Sequence, residues 1–273
     1  MAPQNFKNQT VIITGASAGV GAECARQFAQ NGAKLVLIAR GEEALDKIAG
    51  ELRATTEVLT ISMDVSDTAA CIKLFETVME KFGSVDVIIN NAGMHLRGRV
   101  DSRPAEDFAK MIDVNLRAPI VLATAAIPYL NKSNSGAIVM VGSLAGRSPL
   151  EGAATYSSTK AGLRAFTHAL AEELEDSPIK VGLVSPGPIN TGFIMDEIDD
   201  VDDIVYSQKM STAAEVANEI LNVASGNKME VCIPAMAGKM TTLMYLFPKL
   251  RKFVRPILRK KGRKNKLRYK NEK

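Results

Sequence analysis

Short runs of β-branched and aliphatic residues recur along this chain, and a stretch with helical spacing follows nearly every one. Thr10–Thr14 (TVIIT), Lys34–Ala39 (KLVLIA), Val58–Met63, Val85–Ile89 (VDVII), Ala137–Val141 (AIVMV), Lys180–Val184 and Glu230–Ile233 read as seven strands. Glu23–Gln30, Ala44–Leu52, Ile72–Phe82, Pro104–Leu130 and Tyr156–Leu174 read as helices between them. The strands are continuously apolar rather than alternating, as strands covered on both faces must be. Strand–helix alternation implies right-handed crossovers. The expected fold is therefore α/β: a Rossmann-like, doubly wound sheet of about seven parallel strands with helices on both faces. The pattern runs without a linker as far as residue 235, so residues 1–238 are expected to form one domain, leaving 239–273 as a tail.

Composition narrows the setting. Cys24, Cys71 and Cys232 are odd in number and far apart, and His95 and His168 fall at no ligand spacing with them. A reduced, cytoplasmic setting without a metal site is expected. The N-terminus shows no signal-peptide pattern, and the apolar stretch Ala118–Leu130 is too short to span a membrane.

Chemistry first shows itself at the end of the first strand. Thr14-Gly15-Ala16-Ser17-Ala18-Gly19-Val20-Gly21 joins that strand to a helix. Glycines there let a pyrophosphate approach the backbone, and the helix N-terminus offers free N–H groups and a positive dipole end. The second strand ends in Ala39-Arg40. A carboxylate at that place would accept the ribose 2′-OH of NAD; here a guanidinium stands ready for the 2′-phosphate of NADP(H) instead.

Tyr156 and Lys160 stand four apart, on one face of a helix. A phenol near pKa 10 is a poor base, and a neighbouring ammonium would lower it. Ser143 follows the fifth strand, where its hydroxyl could hold a substrate oxygen. Asn115 lies inside a long helical pattern, where a buried amide needs a partner such as a water or the lysine. Asn90-Asn91-Ala92-Gly93 follows the fourth strand, and Pro186-Gly187-Pro188-Ile189-Asn190-Thr191 follows the sixth. Polar or glycine-rich elements thus follow four strand ends along the ligand-binding edge of such a sheet.

In combination, order and spacing these motifs resemble those of the classical short-chain dehydrogenases/reductases, over roughly residues 8–235. The resemblance implies a catalytic tetrad of Asn115, Ser143, Tyr156 and Lys160. In it Tyr156 exchanges the proton, Lys160 lowers its pKa and binds the nicotinamide ribose, Ser143 polarises the carbonyl, and Asn115 anchors a water in a proton relay. It also implies that NADP(H) lies against Gly15, Ser17, Ala18, Gly19, Val20 and Gly21, against Arg40, Asp64 and Val65, against Asn91, Ala92 and Gly93, and against Pro186, Gly187, Ile189 and Thr191. Many NADP(H) members carry a second basic residue where this chain has Ala18, so the cofactor choice rests on Arg40.

The resemblance places a substrate beside Leu144, Pro149, Leu150, Pro188, Phe193, Ile194 and Met195, with His95 and Leu96 on the opposite wall. Such lining suits a small lipophilic carbonyl or alcohol. Asp196–Asp203 (DEIDDVDD) carries six acids and reads as a solvated, mobile lid. From Lys239 onward 14 Lys and Arg face one acid, Glu272, whereas the remainder carries 20 basic and 29 acidic residues. Leu243, Leu246, Phe247, Leu250, Phe253, Val254, Ile257 and Leu258 recur at helical spacing among these bases. Pro248 and Pro256 predict two short helical pieces, with a disordered end over Lys260–Lys273. Three readings of the tail stay open: an anionic membrane surface, packing on the body or a partner subunit, and, resting on charge alone, nucleic acid. Self-association as a homodimer or tetramer is implied through residues 104–130 and 156–175. The competing function is a non-catalytic NADP(H)-binding scaffold or sensor recruited to membranes by the tail.

Overall fold

A computed structural model describes residues 5–133 and 136–271. Seven parallel strands form one sheet in the order β3-β2-β1-β4-β5-β6-β7. They are β1 Thr10–Thr14, β2 Lys34–Ala39, β3 Val58–Ser62, β4 Val87–Asn90, β5 Ala137–Val141, β6 Lys180–Pro186 and β7 Glu230–Ile233. The order reverses between β1 and β4, which opens a crevice at their carboxyl ends.

One face of the sheet is covered by α1 (Gly19–Gln30), α2 (Glu42–Leu52) and α8 (Ala213–Ala224), packed through Phe28, Leu45 and Ile220. The other is covered by α3 (Thr68–Phe82), α5 (Ala118–Leu130) and α6 (Ala154–Glu173), packed through Phe75, Leu122 and Leu163. Because both faces are occupied, the side chains of β1, β4 and β5 are buried throughout. The helical pattern Pro104–Leu130 resolves into α4 (Ala105–Ile112), a π-helical turn Asp113–Arg117, and α5. This run is long and apolar enough to span a membrane, but Ala118, Leu122, Ala126 and Leu130 pack into the core.

After β6 come the short α7 (Gly192–Met195) and a 3₁₀ turn Asp203–Ser207; after β7 come α9 (Ala235–Leu246) and α10 (Pro248–Asn271). The tail departs from expectation twice. Pro248 does begin a helix, but Pro256 sits inside one continuous 24-residue helix. Lys260–Asn271 is helical as well; only residues 272–273 of the expected disordered end lie outside the described residues. Docking explains both. Arg255 and Arg259 pair with Glu151, Arg259 with Asp202 and Lys270 with Asp199, while Lys266 Nζ donates to Val201 O at 2.7 Å. Asn265 donates to Tyr206 O at 2.9 Å, and Gly262 lies so close to Asp203 O that no Cβ would fit. The acidic segment is therefore not simply solvated, since it forms the seat of the basic helix.

Glu230 anchors β7. Arg147 and Arg164 reach its Oε2 at 2.7 and 3.0 Å, and Arg147 also donates to Thr242 of α9. Burial pushes this carboxyl up, but the hydrogen bonds and charges of Arg164 and Arg147 outweigh it and hold it at about 2. Glu230→Gln should cost about 3 kcal/mol at neutral pH, the scale for removing one partner of a buried pair. The contribution exists above the unfolded value near 4.5 and is lost as pH falls through about 2. Urea unfolding of parent and variant should thus converge at the acid end of that window.

Candidate active site

The turn after β1 is fixed by hydrogen bonds between Thr14 and the segment just after β4. Thr14 Oγ1 accepts from the N–H of Asn91 and of Ala92 at 3.0 and 2.9 Å, and Asn91 Nδ2 donates to Thr14 O at 2.9 Å. Gly15 and Gly19 have φ of +65° and +53°, a region that disfavours other L residues. A Cβ on Gly21 would lie 2.1 Å from Gly15 O, so the first turn of α1 touches the loop itself. Ala18 caps α1 without a side-chain hydrogen bond, which leaves the N-terminal N–H groups directed at the crevice.

A cleft of about 1340 Å³ runs from this turn along the carboxyl ends of the strands. Every residue expected at the cofactor lines it except Gly21, which lies beneath Gly15. Exposed Arg40 is at the far end with Asp64 and Val65. Asp64 accepts from Ser66 N and Oγ at 2.9 and 2.8 Å, and these bonds, with the charge of Arg40, hold its carboxyl below the usual range. Thr191 faces Gly19 across the opening, 3.5 Å from where a Cβ would stand. An uncapped helix N-terminus, a turn in which Gly15 and Gly21 have no room for a Cβ and a cation at the far end suit a phosphorylated dinucleotide.

Ser143, Tyr156 and Lys160 line the middle of the cleft. Burial raises the Tyr156 phenol, while a hydrogen bond with Ser143 and the charge of Arg97 partly offset the rise. Ser143 Oγ also accepts from Ala145 N at 3.1 Å. Burial alone pushes Lys160 down to about 8. Its ammonium donates to Val141 O at 2.9 Å and stands 6.0 Å from the centre of the Tyr156 ring. The expected acidification of the phenol by the lysine is therefore not the net effect: desolvation wins, and the opposing contributions come from Ser143 and Arg97.

Asn115 lies behind Gly93 and does not line the cleft. The π-helical turn aims its amide at Met94, where Oδ1 accepts from N and Nδ2 donates to O, both at 2.8 Å. Its direct partner is thus the Met94 peptide, where a water or the lysine was expected, although Asn115 Oδ1 and Lys160 Nζ both border Gly93.

His95 stacks on Tyr156 with ring centres 4.1 Å apart and planes 14° from parallel. Burial, Arg97 and Lys160 push it down to about 3, so the ring is neutral and forms wall rather than base. Arg97 donates to His95 Nδ1 at 2.9 Å and to Phe193 O at 3.0 Å, and pairs with Glu197 at 2.9 Å. The sequence gives no sign of this role, since contact across about 100 positions has no local pattern. Leu144, Pro149, Leu150, Pro188, Phe193 and Ile194 line the cleft as expected; Leu96 does not, and Met195 packs instead with Ile198, Val201 and Tyr206. Met236, Met240 and Met244 of α9 complete the wall, a contribution not foreseen from sequence.

A family model described as short chain dehydrogenase matches residues 9–202. The chain belongs to the short-chain dehydrogenase family. Among its relatives, dehydrogenase/reductase SDR family member 7B of Mus musculus is 31% identical over 253 residues, covering 87% of this chain and 78% of the relative. The NADP-dependent 3-hydroxy acid dehydrogenase of Schizosaccharomyces pombe is 37% identical over 189 residues, covering 68% and 73%. Among solved structures, a short-chain dehydrogenase from Burkholderia cenocepacia in complex with NADP superposes with a TM-score of 0.77 at 28% identity, covering 84% of this chain and 97% of that one. This short-chain dehydrogenase is thus an oxidoreductase by family, on a fold shared with an NADP-bound neighbour.

Proposed function

We propose that the chain is an NADP(H)-dependent reductase of a small lipophilic carbonyl, with Tyr156 as general acid. The observation that carries this reading is the meeting of Ser143, Tyr156 and Lys160, whose ammonium is held by Val141 O, in the middle of a cleft with a phosphate-type turn at one end. The names of the yeast relative and the Burkholderia structure support NADP(H), as does the cation at Arg40. When bound, the nicotinamide supplies the hydride that reduces the carbonyl carbon.

Ser143 and Tyr156 together hold the carbonyl oxygen. A phenol raised by burial stays protonated at neutral pH, the form that can donate; Tyr156 gives its proton to the oxygen as the alcohol forms. Lys160, held by Val141 O within reach of Gly93, is placed to bind the ribose hydroxyls and to return a proton to Tyr156. Asn115 positions the Met94 peptide and Gly93 beside that ammonium. A scaffold that only bound nucleotide would have no use for the hydroxyl pair. The same reading places the enzyme in the cytoplasm, as a homodimer or tetramer through α4–α5 and α6, with its tail at an anionic membrane surface.

NADPH consumption with a panel of lipophilic ketones and aldehydes tests the reaction; no turnover across the panel would overturn it. Arg40→Asp tests the cofactor. Losing a charge-assisted contact of about 1.5–3 kcal/mol should lower kcat/KM for NADPH about 10–100-fold and raise it for NADH.

A further inference from the structure

The two C-terminal helices carry a face that the body leaves uncovered. Phe253 and Ile257 of α10 are 75% and 62% exposed, and Met236, Met240 and Leu246 of α9 lie open as well. Helical spacing accounts for it: with Arg255, Arg259 and Lys266 turned to the acidic seat, Phe253, Ile257, Lys260 and Lys264 point the other way. Soluble surfaces rarely group apolar side chains of this size, and such a group marks a docking site.

Charge selects the occupant. From Lys239 to Asn271 the chain has no Asp or Glu, and Lys249, Lys252, Lys260, Lys261, Arg263 and Lys264 are exposed. A second copy docked through the same face about a twofold axis would set lysine against lysine. Nucleic acid would satisfy the lysines and leave Phe253 and Ile257 in water. An anionic bilayer satisfies both, with apolar side chains at the acyl boundary and ammonium groups at the headgroups.

The cleft is bordered by both of these helices. Met236 and Met240 are exposed and also line the cleft, as do Arg251 and Lys261 of α10. We propose that α9 and α10 dock the cleft mouth against an anionic lipid surface, so that the substrate is a membrane-resident carbonyl lipid entering past Met236 and Met240. The docking stands independently, while the substrate class rests on the reductase reading above.

The chain contains no tryptophan, so an introduced indole reports its own site. Phe253→Trp and Met240→Trp sample the outer face and the mouth; Ile72→Trp, exposed on α3, is the control. Each full-length variant, with circular dichroism matched to the parent, is mixed with vesicles of phosphatidylglycerol and brominated phosphatidylcholine. The indoles at 253 and 240 should shift to the blue and lose most of their emission, high salt should reverse this, and the indole at 72 should not respond. Adding Phe253→Glu and Ile257→Glu to Met240→Trp should abolish the quenching. No quenching at 253, or quenching at 253 without 240, overturns the proposal. A blue shift at 253 that grows with protein concentration in the absence of vesicles does so in favour of a second copy. Because turnover is not measured, an inactive enzyme would count against the reductase reading alone.

Discussion

Replacing Tyr156 with phenylalanine should lower kcat by about 10²–10⁴-fold, the usual contribution of a positioned general acid. NADPH affinity and the unfolding midpoint should stay close to those of the parent. The separation follows from the surroundings of the ring. Its stacking on His95 at 4.1 Å is a property of the ring and survives the change. The hydroxyl alone is lost, and with it the proton for the alkoxide. The pH dependence supplies a second test with a definite sign. Burial sets the phenol above its ordinary value, so parent reduction should hold level across neutral pH and fall only in the alkaline range, as the donating form disappears. Alcohol oxidation needs the phenolate and should rise over the same range. The variant should show neither limb. A variant that turned over at the parental rate would remove Tyr156 from the chemistry.

The sheet was legible because its signal is local. Continuous apolar runs such as Lys34–Ala39 cannot be placed except between two covering layers, and they form the strands at nearly the expected bounds. The glycine turn was legible for a similar reason, since backbone that must approach a phosphate excludes side chains whatever the rest of the chain does. Less local features were lost. Asn115 could be recognised as buried and polar, but the π-helical turn that directs its amide to Met94 depends on packing between α4, α5 and α6. The sign of the Tyr156 shift was lost likewise: four-residue spacing puts the lysine on the same helix face, whereas the depth of the cleft and the hydrogen bond to Val141 O set the outcome.

The tail shows what a charge pattern can and cannot say. Six acids in Asp196–Asp203 read as a solvated lid, and the 14 bases from Lys239 onward left a membrane surface, the body or a partner subunit, and nucleic acid open as their counterpart. Together they are complementary, and a chain holding both signs can satisfy them against itself. Arg259 with Asp202 and Lys270 with Asp199 fix α10 over the segment that follows Thr191. Arg97, paired with Glu197 of that segment, connects it in turn to His95 and so to the Tyr156 ring. Pro256 is tolerated within α10 because docking on the acidic segment compensates for the helical hydrogen bond that proline removes.

Gly21→Ala should be strongly damaging, and Gly50→Ala should have the opposite sign. At Gly21 the new Cβ would fall 2.1 Å from Gly15 O and 2.7 Å from Asn91 Nδ2. The first is backbone and cannot swing away; the second already holds Thr14 O. Relief requires α1 to withdraw from the loop, which separates the helix N-terminus from the turn it completes. Overpacking of this kind costs about 3 kcal/mol, a fall in the thermal midpoint of roughly 6–12 °C for a chain of this size. NADPH affinity should fall further than stability does, because the displaced element is the one aimed at the pyrophosphate. Gly50 lies inside α2 with nothing within 4 Å of its Cβ position, so alanine there removes only the entropic penalty of a helical glycine. It should stabilise the protein by about 0.5–1 kcal/mol and leave NADPH binding unchanged. Calorimetry and NADPH titration on the two variants separate the steric demand of the turn from the general cost of glycine in a helix. If Gly21→Ala bound NADPH like the parent, close contact between α1 and the loop would not be what forms the phosphate site.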